Sequence, residues 1–233
     1  MKRTTAILLA GTMLVCVAPA LRANGADSID LPTPGGIFNP KVVSIREARF
    51  KTVIQQRYDF SCGSAALATL LTYHYGAPVS EAQVFEAMYK AGDKEKIQQE
   101  GFSLLDMKRF LTSIGVKADG FEMTLNQVVD VGVPIIALID VGGYKHFVVV
   151  KGVRGDEVVV GDPVQGVNIV RRGDFEAMWN GIAFVIRQDI DMARRNFNAD
   201  HDWAVRTKAP FGTALRRDGL ASFAMGLPGV NDF

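Results

Sequence analysis

The hydrophobic pattern of this chain changes its period near residue 133, and that change limits the folds open to it. Before this point apolar residues recur at helical spacing, and each stretch follows a Ser or Thr typical of a helix N-terminus. After it, short Val- and Ile-rich runs alternate with Gly-containing turns, which predicts strands joined by hairpins. Helices followed by an antiparallel sheet predict an α+β domain.

The predicted elements have definite bounds. The helices are expected to begin after Ser61, Ser80, Ser103 and Thr124, and to end before Gly76, near Ala91, before Gly115 and near Gly132. The strands are expected at 134–139, 146–150, 157–160, 167–171 and 182–187. The charged stretch 92–100 is predicted to be a loop, and the alternation within 42–55 predicts an exposed strand.

The first 20 residues have the pattern of a secretory signal peptide. Lys2 and Arg3 precede an apolar run over 6–17, and small residues at 18–20 supply a cleavage site. This run is shorter than the roughly 20 apolar residues that a membrane-spanning helix needs. We therefore expect cleavage after Ala20, with Ala23 as the second choice, export to the periplasm, and no transmembrane segment in the cleaved protein.

The rest of the chain divides by composition into three parts. Residues 21–52 are expected to be a linker with an edge strand, because 24–40 are rich in Pro, Gly, Asp and Asn. Residues 53–188 carry the helix and strand signals and form the predicted domain. Residues 189–233 are polar, arginine-rich and weakly periodic, so they form an extension to which the sequence assigns no structure.

The charge balance excludes several classes of function. Lys and Arg number 26 against 25 Asp and Glu, a formal net charge of +1, which is unlike the basic surface of a nucleic-acid-binding protein. Three dispersed histidines and two cysteines give no metal-ligand spacing. The sequence therefore predicts neither a metal nor another cofactor, and no nucleic-acid partner.

Removal of the signal peptide would leave Cys62 as the only cysteine. A lone thiol is often a small buried apolar side chain, but an unpaired cysteine in an exported protein also marks a candidate nucleophile. Cys62 stands at the start of the helix predicted after Ser61, where the positive end of the helix dipole favours a thiolate. The residues around it favour the nucleophile.

Three further residues complete a candidate catalytic group. His146 opens a predicted central strand, and Asp162 ends the next strand, so an antiparallel hairpin would bring the two together. A carboxylate there could fix the tautomer of the imidazole. Gln56, six residues before Cys62, could donate a hydrogen bond to an oxyanion. Taken singly, each residue is more often structural, but the combination predicts a nucleophile, a base, an orienting carboxylate and an oxyanion donor.

The run 56–67, followed by 73–76, resembles the bacteriocin-processing cysteine peptidases that remove double-glycine leaders, which are papain-like enzymes. Further similarity at 101–103, 146–149 and 162–163 extends the resemblance over roughly 53–186. It implies a papain-like fold with helices packed on an antiparallel sheet. It also implies roles for four residues, namely the nucleophile Cys62, the general base His146, the orienting Asp162 and the oxyanion-hole Gln56.

The sequence departs from this family in two respects. Ser61 stands where many members have aspartate before the cysteine. The best-known members are cytosolic domains fused to ABC transporters, whereas this chain carries an export signal. It is more similar to the stand-alone exported members, including those encoded beside functional-amyloid secretion systems.

We therefore expect an exported cysteine endopeptidase that cleaves an extended secreted peptide or protein, after Gly or another small residue, in support of secretion or assembly. Its expected partners are this substrate and components of a secretion system. Two alternatives remain: a catalytically silent module that holds a secretion substrate, and an acyl transferase on the same scaffold. Neither His74, about 18 Å along the helix from Cys62, nor His201 in the extension is expected to act as the base.

Overall fold

The computed structural model describes residues 31–33, 36–38 and 44–205. The chain divides into two compact units, 1–43 and 44–233. In the first unit, β1 (Leu31–Thr33) pairs antiparallel with β2 (Gly36–Phe38), so a hairpin lies within the segment expected to be a linker. The predicted signal peptide lies outside the described residues.

The second unit begins with helices and continues into a sheet. Its helices before the sheet are α1 (Ile45–Arg49), α2 (Cys62–His74), α3 (Glu81–Ala91), α4 (Lys94–Glu100) and α5 (Leu104–Ser113). The remaining elements are β3 (Ala118–Glu122), α6 (Leu125–Val131), β4 (Ile135–Val141), β5 (Tyr144–Arg154), β6 (Glu157–Asp162), β7 (Gly166–Arg171), α7 (Arg172–Met178), β8 (Trp179–Ile186), α8 (Ile190–Arg195) and α9 (Asp200–Trp203). None of the helices described is long and apolar enough to cross a bilayer.

The strands of this unit form an antiparallel sheet in the order β3-β8-β4-β5-β6-β7. In β4 and β5, Ile139 pairs with His146, and in β5 and β6, Val149 pairs with Gly161. These hairpins bring the first residues of β5 and the last residue of β6 to the same end of the sheet. The α+β class predicted from the change of period is confirmed.

Helix α2 lies in the hydrophobic core, and nearly every residue along it is buried. Its small side chains allow neighbouring elements to approach closely on all sides. At Gly63, a Cβ atom would lie 2.9 Å from Met107 Cε and 3.0 Å from Phe102 Cβ, closer than carbon atoms normally pack. Glycine therefore fits here because the first turn of α2 is pressed against α5 and the residues before it.

Three of the four predicted helix starts carry the expected caps. Ser80, Ser103 and Thr124 each accept a hydrogen bond from the backbone N–H three residues later, and that residue's side chain bonds back to form a capping box. Each box satisfies N–H groups that a helix start leaves without intrahelical partners. The positions of α3, α5 and α6 therefore follow from local sequence.

Two local predictions are wrong. The exposed strand expected within 42–55 is instead helix α1, capped by the Ser44 side chain and without buried residues. The stretch 92–100, expected to be a loop, contains helix α4. This helix begins after Asp93, whose side chain caps it by accepting a hydrogen bond from the backbone N–H of Lys96. Both are short helices, in which a capping side chain decides the conformation although the apolar periodicity is weak.

The described part of the C-terminal extension packs on the sheet and on the end of α2. Asn198 N donates to the carbonyl of Lys151 at 2.9 Å, and Asn196 Nδ2 donates to the carbonyl of His74 at 3.1 Å. Lys151 and Asp202, on β5 and α9, form an ion pair in which both side chains are fully buried. Residues 189–205 thus pack against this unit, with Ala193 and Asp202 buried, while 206–233 lie outside the described residues.

Candidate active site

Cys62 is the first residue of α2, and its side chain is buried among core residues. Ser61 occupies the N-cap position, but it makes no side-chain cap. Its hydroxyl instead bonds back to the backbone of Tyr58, accepting from the N–H at 3.1 Å and donating to the carbonyl at 3.0 Å. The cap expected of the Ser61 side chain is therefore absent, and this leaves the N–H end of α2 uncapped beside the sulfur.

His146 lies near the start of β5, and its ring is held by a carboxylate. Its Nε2 atom is 3.0 Å from Oδ1 of Asp162, the last residue of β6. The same oxygen accepts from the backbone N–H groups of Val164 at 2.7 Å and Gln165 at 3.2 Å. The turn after β6 therefore fixes the carboxylate, and the carboxylate fixes the imidazole.

The ionisation of this pair follows from its surroundings. Burial raises the pKa of the Asp162 carboxyl, but the hydrogen bond with His146 and those from the backbone outweigh burial and lower it. For His146, burial lowers the pKa, but the hydrogen bond with Asp162 and the proximity of Cys62 outweigh it and raise the pKa to about 9. The imidazolium ion is thus the favoured form at neutral pH.

Cys62 lies close enough to the His146 ring to raise its pKa. Since Nε2 is bonded to Asp162, Nδ1 is the ring nitrogen left for the sulfur. Nδ1 is buried and has no hydrogen-bond partner among the described residues. An imidazolium against a thiol at a helix N-terminus is the arrangement that stabilises a thiolate nucleophile.

Gln56 lies on the loop that leads into α2. Its backbone N–H donates to the carbonyl of Pro163 at 3.1 Å, which ties the loop to the residue after Asp162. Its side-chain Nε2 donates to the carbonyl of Tyr58 at 3.0 Å and lies 3.5 Å from that of Asp59. The Gln56 amide thus lies on the loop before Cys62. One of its N–H groups is firmly bonded, and the second is weakly held.

Sequence reasoning missed Tyr144, two residues before His146 on the same strand. Its ring stacks against the imidazole with 5.9 Å between centroids. Its hydroxyl donates to the carbonyl of Asp59 at 3.0 Å. The available signal was the strand period of two, which places Tyr144 and His146 on one face of the sheet.

The other histidines lie away from this site. His74, at the opposite end of α2, is buried, and burial together with the charge of Lys151 lowers its pKa to about 3, which leaves it neutral. His201 lies on α9, 3.7 Å from Asp202. Within the hairpin and residues 44–205, no group of three or more His, Cys, Asp or Glu side chains is placed to hold a metal ion.

Comparison with known proteins identifies the family of this chain. The model of the peptidase C39 family matches residues 50–190. A "probable functional amyloid protease FapD" from Pseudomonas fluorescens is 41% identical over 80% of this chain and 80% of its own length. The protein of the same name from Pseudomonas aeruginosa is 43% identical over 65% of this chain and 67% of its own length.

A solved structure shows the same fold. The peptidase domain of Streptococcus ComA, a bifunctional ABC transporter involved in a quorum-sensing pathway, superposes with a TM-score of 0.50 at 22% identity. The match covers 58% of this chain and 96% of that domain. The helices and antiparallel sheet that surround Cys62 and His146 therefore have the fold of this domain.

Proposed function

This chain belongs to the peptidase C39 family, a family of cysteine peptidases, and we propose that it is an endopeptidase whose nucleophile is the Cys62 thiolate. The observation that carries the proposal is the grouping of three side chains at one end of the sheet. His146 bonds to Asp162 through Nε2, and Cys62 lies close enough to the imidazole to raise its pKa. These are the groups that acyl transfer through a thioester requires.

In the acylation step, the Cys62 sulfur forms a bond to the carbonyl carbon of the scissile peptide. The carbonyl electron pair moves onto oxygen, and the resulting oxyanion accepts hydrogen bonds from Gln56 Nε2 and the N–H of Cys62. As the intermediate collapses, the carbon–nitrogen bond breaks, and the His146 imidazolium gives its proton to the departing amine. The products are a Cys62 thioester and the C-terminal fragment.

In the deacylation step, the now neutral imidazole accepts a proton from water. The hydroxide so formed attacks the thioester carbon, and the carbon–sulfur bond breaks with its electron pair on sulfur. This releases the N-terminal fragment as a carboxylic acid, which loses its proton to solvent, and restores the thiolate–imidazolium pair. Asp162 retains its charge throughout and keeps the ring oriented.

The substrate is an extended segment of an exported chain, cut after Gly or another small residue. Two observations support this. The residues Cys62, His146 and Asp162 are only 5%, 4% and 9% exposed, so a substrate backbone reaches the sulfur most easily when it carries no bulky side chain at that point. The N-terminal sequence pattern supports export to the periplasm.

The names of the Pseudomonas relatives support a role beside a functional-amyloid secretion system, with secretion-system components as further partners. The decisive experiment compares cells that express the wild-type protein with cells that express Cys62→Ala. Mass spectrometry of exported proteins should find a new N-terminus behind a small residue in the wild type alone.

The alternatives give different results in the same experiment. A binding module would leave exported proteins identical in the two strains while still retaining a partner. An acyl transferase would yield N-terminal fragments whose new C-terminus is joined to an amine through an amide bond, whereas hydrolysis leaves a carboxylate there. Either result would overturn the proposed hydrolysis.

A further inference from the structure

The Tyr144 side chain connects strand β5 to the loop before Cys62 in the candidate active site. It precedes His146 by two residues on β5, so the two side chains lie on one face of the sheet. Its hydroxyl donates to the carbonyl of Asp59 at 3.0 Å, in the loop that runs from Gln56 to Cys62. A single side chain thus connects the strand that carries the imidazole to the loop that carries the amide.

The carbonyl that Tyr144 holds also lies near Gln56. The Gln56 Nε2 atom has two hydrogens, and the nearest acceptors are the carbonyls of Tyr58 at 3.0 Å and Asp59 at 3.5 Å. The first distance is that of an ordinary hydrogen bond, and the second is too long for a strong one. The Tyr144 hydroxyl therefore supplies the strong donor to the Asp59 carbonyl, and the second Gln56 N–H stays weakly held.

We propose that Tyr144 is a positioning residue for the reaction: by making the stronger hydrogen bond to the Asp59 carbonyl, it leaves the second N–H of Gln56 only weakly held and so available to bind the oxyanion. The inference rests on the proposed function, because an oxyanion forms beside Gln56 only if Cys62 attacks a carbonyl. It also gives the exposed tyrosine a role in turnover that differs from that of a substrate contact.

The surroundings keep the Tyr144 hydroxyl in its donor form. Partial burial raises the pKa of Tyr144, and the negative charges of the neighbouring site act in the same direction. The hydroxyl therefore stays protonated over the range in which His146 is an imidazolium. The ring, 52% exposed, lies over one side of the imidazole and limits its contact with water.

The test is Tyr144→Phe, which keeps the ring and removes only the hydroxyl. Without that donor, the Gln56 amide should turn to the Asp59 carbonyl, and kcat should fall about tenfold, the effect of one hydrogen bond. The probe is an acetylated peptide that ends in Gly-Gly-aminomethylcoumarin, assayed with the full chain. KM should change less than about twofold, because the lost interaction is made in the transition state.

A double variant separates positioning from a general structural effect. If Tyr144 acts through Gln56, adding Tyr144→Phe to Gln56→Ala should lower kcat no further. Carbamidomethylation of Cys62 by iodoacetamide forms no oxyanion, so its rate should be the same in Tyr144→Phe and wild type. The matched control is Tyr89→Phe, which removes a hydroxyl bonded to Gln98 at 2.8 Å in another part of the chain, and it should turn over normally.

The outcomes distinguish this inference from the proposed function. A wild-type kcat for Tyr144→Phe, or an equal loss in the Gln56→Ala background, would overturn the role of Tyr144 and leave the peptidase intact. Equal inactivity of wild type and Cys62→Ala on the peptide and on exported proteins would overturn both.

Discussion

The ammonium group of Lys151 and the carboxylate of Asp202 meet at 2.6 Å inside the protein, with both side chains fully shielded from solvent. The Lys151 ammonium also donates to the carbonyl of Thr52 at 3.0 Å and to its hydroxyl at 2.7 Å. This cluster joins the central strand β5 to helix α9 of the extension. Removing the partner of a buried charge is destabilising, because the remaining charge is then shielded from water without a compensating ion pair.

We therefore expect Asp202→Asn to destabilise the protein by about 3–5 kcal/mol, because it leaves the Lys151 charge buried without a carboxylate. The measurement is urea unfolding followed by circular dichroism. Asp200→Asn is the matched control, because it removes another carboxylate from the same helix. The Asp200 carboxylate pairs with Arg154 at 2.8 Å, but its side chain is 95% exposed. The control should cost less than about 1 kcal/mol.

The double variant Lys151→Met with Asp202→Leu extends this test. Replacing both charges with apolar groups removes the unpaired ion, so most of the stability lost in Asp202→Asn should return. If Asp202→Asn unfolds at the wild-type urea concentration, the extension is not held by this ion pair.

A second prediction concerns the reactivity of Cys62. The His146 imidazolium favours a reactive sulfur beside it, so iodoacetamide should modify Cys62 rapidly in the folded protein. His146→Ala removes that charge and should slow the modification. His201→Ala, which removes an exposed histidine on α9, is the control and should leave the rate unchanged. A Cys62 that resists alkylation in the folded protein would contradict a catalytic thiol.

Much of this fold can be predicted from short stretches of the sequence. Ser80, Ser103 and Thr124 each carry a box-forming side chain three residues later, so α3, α5 and α6 can be predicted without knowledge of their neighbours. His146 and Asp162 are 16 residues apart on one hairpin, and antiparallel pairing alone brings them together.

The features that sequence reasoning missed depend on distant partners. Strand β3 has the sequence Ala-Asp-Gly-Phe-Glu, without clear alternation, and it becomes a strand by pairing with β8 more than 50 residues later. The partner of Lys151 lies 51 residues away in a polar segment. The bond from Tyr144 to Asp59 spans 85 residues. Such contacts arise from packing, so no short window of sequence contains them.

A third prediction tests the oxyanion donor. Gln56→Ala removes the side-chain N–H groups that we propose bind the oxyanion and should lower kcat by about 10²–10³. The fold should persist, because the bond from Gln56 N to the Pro163 carbonyl is made by the backbone. Gln98→Ala is the control, since it deletes an amide on the exposed side of α4. Near-normal turnover by purified Gln56→Ala would remove Gln56 from the mechanism.

A fourth prediction concerns stability against pH. The pKa of His146 is raised from 6.5 to about 9, so its stabilising contribution is complete below about pH 6.5 and is lost as the pH rises through 9. The pKa of Asp162 is lowered from 3.8, so its contribution is present above that value and is lost as the pH falls below it. Together they stabilise the fold most between about pH 4 and 6.5.

Asp162→Asn isolates this effect because it keeps the shape of the side chain and removes its charge. The difference in Tm between wild type and variant should be greatest near pH 5–6 and should shrink toward pH 9.5 and toward pH 2. Thermal unfolding followed by circular dichroism across this range measures it. A difference independent of pH would show that the charge of the pair does not contribute to stability.

The last prediction concerns the residue before the cut bond. The sulfur of Cys62 and the ring of His146 are almost completely buried, and Tyr144 lies over one side of the imidazole, so little space remains for a substrate side chain next to the scissile carbonyl. Glycine lacks a Cβ and lets the backbone approach most closely. Digestion of an extended peptide library by the purified enzyme should give kcat/KM at least about tenfold higher for Gly than for Leu at this position, since about one methylene of misfit already costs that much.

Varying the second residue after the cut provides the control and should change the rate far less. Cys62→Ala should cleave none of the peptides. A preference for large aromatic or basic residues before the cut would show an open pocket there, and it would retain the Cys62 mechanism while rejecting selection for small residues.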